Sequence, residues 1–94
     1  MKVIFIYKDK NDLELFKLVP LDITVYTEII NSEKDKSEAY SIKNKYGARK
    51  DPFILIEDNE GRFVNCFWTE NGNAVQQLIK WINYEDKDSF IKTK

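Results

Sequence analysis

Hydrophobic and polar positions along this chain repeat in periods that change from segment to segment. Val3, Ile4, Phe5, Ile6 and Tyr7 are apolar without a break, the pattern of a central strand covered on both faces. After the polar bend Lys8 to Lys10, Asn11 or Asp12 can cap a short helix, with Leu13, Phe16 and Leu18 or Val19 near helical spacing and Pro20 as its stop. Ile23 to Ile29 then reads as a strand in which Ile23 and Val25 face one way and Thr24 and Tyr26 the other. Such alternation marks a strand with one face in water, and so a sheet edge.

Asn31 and Ser32 offer the next cap, Ser32 with Asp35 in a capping-box pattern, and Ala39, Ile42 and Tyr46 fall on one stripe of the helix that follows. Lys43 and Lys45 complement the negative end of its dipole, and Gly47 suits the left-handed residue that ends a helix. Beyond Pro52, Phe53 to Ile56 form a second doubly apolar strand. Asp58 to Gly61 make a tight turn, and Arg62 to Trp68 mix polar with apolar residues as the other edge. Asn73 with Gln76 can cap a last helix in which Val75, Leu78, Ile79 and Ile82 recur at i, i+3, i+4 and i+7, widened by Ala74 and Trp81. Residues 1–84 therefore read as one domain, and 85–94 as a polar C-terminal tail.

Burial pattern alone orders the strands. The two doubly apolar ones belong in the middle. The first two must run parallel, because a helix crosses between them, and the last two form an antiparallel hairpin. The expected architecture is α/β: a four-stranded mixed sheet in the order second, first, third, fourth, with about three helices on both faces.

Composition narrows the function more than it defines it. Fifteen Lys and Arg against sixteen Asp and Glu leave a net charge of −1 with the signs interspersed, so no phosphate-tracking stripe exists and nucleic acid is not the expected partner. One cysteine and no histidine exclude an internal disulfide and any Cys-only metal site, and no cofactor is implied. The opening apolar run is too short and wrongly flanked for a signal peptide, and no run approaches the roughly 20 residues of a membrane helix, so a cytoplasmic protein is expected. Lys outnumbers Arg, and Asn and Ile are abundant, a bias of AT-rich coding that points to a low-GC bacterium or its phage.

The stretch KYGARKDPFILIEDNEG resembles the thioredoxin family, in which a helix ends in Lys-Tyr-Gly, followed by an Arg, a proline, an apolar strand and a Gly-containing turn. Here those positions are Lys45, Tyr46, Gly47, Arg49, Pro52 and Gly61, and Leu78, Trp81 and Ile82 repeat the spacing of the family's last helix. The resemblance implies a thioredoxin-like core, trimmed toward the glutaredoxin type, with a cis-proline at Pro52. It also implies that Asp51 offers its backbone to an extended client peptide. The family's CxxC pair would stand where this chain has Lys10, Asn11, Asp12, Leu13 and Glu14. Neither the thiolate nor the resolving thiol of that chemistry is present. The function this combination implies is a redox-inactive module that binds a protein or peptide, with Lys10, Asp12, Arg49, Lys50, Asp51, Pro52 and Trp68 as the binding set. The alternative is a degenerate monothiol oxidoreductase using Cys66, whose sequence neighbours offer no base to lower its pKa.

Overall fold

Eight residues leave no face for water. In a computed structural model that describes residues 1–85, Val3, Ile4, Phe5 and Ile6 in one strand and Phe53, Ile54, Leu55 and Ile56 in another are all buried. These are β1 (Lys2–Tyr7) and β3 (Phe53–Glu57), the middle pair of a four-stranded sheet. They run antiparallel, with Phe5 opposite Ile54 and Ile4 opposite Leu55. Around them stand α1 (Lys10–Lys17), β2 (Tyr26–Asn31), α2 (Lys36–Lys45), β4 (Phe63–Phe67) and α3 (Ala74–Glu85). The order β2-β1-β3-β4, parallel for β1 with β2 and antiparallel for β3 with β4, matches the order read from the apolar pattern.

Side chains on successive strand positions point to opposite faces, so the middle pair feeds two cores. Val3, Phe5, Ile54 and Ile56 join Phe16 of α1 and Ala74, Val75, Leu78 and Ile82 of α3 on one face. Ile4, Ile6, Phe53 and Leu55 join Ile30 of β2 and Ala39 of α2 on the other. Phe5 and Phe16 stack with centroids 4.2 Å apart, which fixes α1 against the sheet. Fully burying each such side chain contributes roughly 1.5–3 kcal/mol, and both cores draw on the same two strands.

The element ends depart from the sequence reading where a polar side chain has a stronger use elsewhere. α1 is capped by Asp9, whose carboxylate accepts the Asn11 N–H at 2.8 Å, rather than by Asn11 or Asp12. Val19 is buried beyond its end and Leu18 is exposed. β2 begins three residues later than the alternation indicated. Asp22 accepts from the Thr24 N–H and hydroxyl and turns the chain, which leaves Ile23 exposed at 90% while Val25 packs into the core. The strand keeps its edge position. Neither Asn31 nor Ser32 caps α2. Asn31 closes a turn by accepting from Glu33 and Lys34, and Asp35 stands at the N-cap without a side-chain bond. At the other end Gly47, at φ 71°, allows its own N–H to reach Asn44 and that of Ala48 to reach Lys43, a two-bond closure that needs a left-handed residue.

In the hairpin, Asp58 accepts the backbone N–H groups of Arg62 and Glu60, which hold its carboxyl below the usual value. β4 ends at Phe67, so Trp68 lies just past the strand rather than within it. α3 reaches Glu85, the first residue of the expected tail, and 86–94 lie outside the described residues. No described helix is long and apolar enough to cross a membrane.

Truncating Leu78, which is fully buried between α3 and the sheet, should cost about 2–5 kcal/mol, whereas Ile23→Ala should change stability by less than about 0.5 kcal/mol. Urea denaturation of the two variants checks both values, and a large loss at Ile23 would restore that residue to the core.

Candidate functional site

The chain leaves β1 toward α1, enters β3 through Pro52 and leaves β4 at Phe67, and antiparallel pairing brings all three points to one end of the sheet. Pro52 is fully buried there, and the Asp51–Pro52 peptide bond is cis.

Asp51 is tied down through its side chain. Its carboxylate accepts the Ser32 hydroxyl at 3.0 Å and pairs with the Lys43 ammonium at 2.8 Å. The Lys43 and Asp51 side chains are only 18% and 15% exposed, so water competes weakly for them. Three segments remote in sequence thus meet on one carboxylate: the β2–α2 turn, the last turn of α2 and the bend. Sequence reasoning assigned Ser32 to a cap and Lys43 to the helix dipole. A bond across 19 residues leaves no periodic trace that would have corrected either assignment.

On one side of the bend, Lys8, Asp9, Asp12, Glu33 and Asp51 line an open cleft of about 440 Å³. A carboxylate in the first turn of a helix ordinarily gains from the dipole. At Asp12 other influences act the opposite way: burial, then repulsion from Asp9 and Asp51, raise its pKa above the usual 3.8. Lys10, at the start of α1, is exposed and lines no part of this cleft.

On the other side, the Arg49 guanidinium lies 5.1 Å from the centre of the Trp68 ring and pairs with the Glu70 carboxylate. That hydrogen bond, with the nearby charges of Arg49 and Lys50, holds the Glu70 carboxyl below its usual value. Trp68 is half-buried and packs against the core on the α2 face, while Arg49 and Lys50 are exposed. Glu70 and Gly72 were not among the residues picked from sequence. A Cβ on Gly72 would lie 3.6 Å from the Asp51 carbonyl oxygen and 3.9 Å from Pro52 Cδ, so the turn before α3 packs directly on the bend. Thr69 and Asn73 close that turn: the Thr69 hydroxyl donates to the Asn73 side chain and accepts its backbone N–H.

Of the seven binding residues expected from sequence, Asp12 and Asp51 therefore share one cleft, Arg49 and Trp68 share a cation–π contact, and Pro52 is buried at the bend. Cys66 sits apart, half-buried in β4 opposite Leu55, and burial pushes its thiol up from the ordinary value. No group of three or more His, Cys, Asp or Glu side chains among the described residues is arranged to hold a metal ion.

Fold and site together define a small mixed α/β domain with a polar, aromatic-flanked bend at one end of its sheet. No family model, curated protein or solved structure matches this chain.

Because Asp12 has a raised pKa, the folded state binds more protons than the unfolded chain just above pH 3.8, and ionisation of Asp12 subtracts stability as pH rises through that window. Asp12→Asn should accordingly stabilise the protein at pH 7 and change little well below pH 3.8, where the aspartate is protonated in both the folded and unfolded chain. Urea midpoints at the two pH values test this, and a variant less stable at pH 7 would reject the electrostatic account of the cleft.

Proposed function

We propose that this chain is a thioredoxin-like module without redox activity, which binds another protein or an extended peptide at the sheet end around the Asp51–Pro52 bend. The observation that carries the reading is the meeting of three chain segments there: Asp12 beside Asp51 on one side, and Arg49 over Trp68 on the other. Strand order and helix placement agree with a thioredoxin-like core. The loss of redox activity rests on the residues at the start of α1, where Lys10 to Glu14 carry no thiol.

A half-buried aromatic flanked by charged groups of both signs fits recognition by a few strong contacts within a polar rim. The alternative, a monothiol oxidoreductase acting through Cys66, is disfavoured because its raised pKa keeps the group a thiol, the unreactive form, at neutral pH.

Two measurements separate these readings. The protein should show no turnover in insulin reduction, and Cys66 should react with iodoacetamide at pH 7 more slowly than free glutathione does. Reductase turnover that disappears in Cys66→Ser would select the monothiol reading instead.

For the binding surface, a partner recovered from the native host should bind Lys50→Glu and Trp68→Ala more weakly by about 1–3 kcal/mol each, with both variants still folded by circular dichroism. Tyr40→Ala, on the exposed face of α2, should bind as the wild type does. Loss at Tyr40 with no loss at Lys50 and Trp68 would move the interface to α2.

A further inference from the structure

The contact of Arg49 with Trp68 and Glu70 contains every part of a cation-binding site, including an occupant. An aromatic face and a carboxylate are the two groups that hold a guanidinium, the first through its quadrupole and the second through charge-assisted hydrogen bonds. Here they come from different segments than the cation. Trp68 follows β4 and Glu70 lies in the turn before α3, whereas Arg49 hangs from the bend before β3.

The Trp68 ring and the backbone of the turn that bears Glu70 are fixed. Trp68 packs on the core, and the turn bearing Glu70 is closed by Thr69 with Asn73 and by Gly72 against the bend. The occupant is held more loosely, because the Arg49 and Glu70 side chains are 72% and 56% exposed, and ion pairs so open to water contribute little.

We infer that Trp68 and Glu70 form a pocket for an arginine side chain of an extended partner peptide, and that Arg49 occupies this pocket as an intramolecular stand-in which the partner's arginine displaces. This deepens the binding reading above and rests on it. A displaced Arg49 swings into solvent, where its charge is hydrated at small cost. The incoming guanidinium takes the same ring face and the same carboxylate, so no charge is buried unpaired. Binding by the wild type is then reduced by the fraction of molecules in which Arg49 fills the pocket.

The test uses the tripeptide acetyl-Gly-Arg-Gly-amide and its citrulline analogue, which keeps the shape and lacks the charge, with dissociation constants read from the Trp68 indole N–H resonance. Arg49→Ala should bind the arginine peptide about two- to fivefold more tightly than the wild type, the factor an exposed cation–π contact is worth. Arg49→Gln serves as a second vacating variant. Adding Glu70→Gln to Arg49→Ala should remove the gain.

Equal or weaker binding by both Arg49 variants would overturn the stand-in, as would no binding at all. If the citrulline peptide bound Arg49→Ala as well as the arginine peptide did, recognition of a cation would be rejected while peptide binding at the bend survived.

Discussion

The whole architecture follows from one constraint: β1 and β3 are neighbours, and neither has a face that can meet water. A sheet with two such strands at its centre must be covered on both sides, and a chain of this size covers it with the fewest pieces. One face takes α1 and α3, which bring Phe16, Leu78 and Ile82. The other takes only α2, whose buried contribution is Ala39 with Ile42 and Tyr46 at its margin. The two cores are unequal for that reason. β2 and β4 then need to be apolar on one side only, which is why they carry Tyr26, Ile29, Phe63 and Val64 in partial or full exposure.

The same constraint creates the polar end of the sheet. The chain passes from α2 to β3 through residues 46–52, and Pro52 stands at the entry to the strand as a buried side chain. The residue before it then points toward α2, where a carboxylate needs partners. Ser32 and Lys43 supply them, so the Asp51 side chain is committed to holding the bend. Around that carboxylate lie the acidic cleft beside α1 and the Arg49, Trp68 and Glu70 cluster.

Legibility in the sequence divides along the range of the interactions. The apolar runs of β1 and β3 and the stripe of α3 were readable because burial on two faces or on one stripe writes a period into consecutive residues. The caps were not, because Asp9, Asn11 and Asp12 are chemically equivalent candidates and only backbone geometry selects among them. The start of β2 was misread for a related reason. Ile23 alternates correctly with Val25, but Asp22 bonds to Thr24 and turns that residue outward before the strand begins. In the site, Pro52 and Trp68 could be singled out by type. The partners of Asp51 and Arg49 are contributed by segments 8, 19 and 21 residues away and have no local signature.

The electrostatics at the start of α1 bear on the proposed loss of redox activity beyond the missing thiols. A reactive thiolate needs an environment that stabilises negative charge, and a helix N-terminus ordinarily provides one. Here Asp9 caps that helix with its own carboxylate, Asp51 stands nearby, and the carboxyl of Asp12 is pushed up rather than down. Desolvation, then repulsion from Asp9 and Asp51, act against negative charge at this position. Charges of both signs thus meet at this end of the sheet, and the Arg49 contact with Trp68 and Glu70 pairs some of them within the chain.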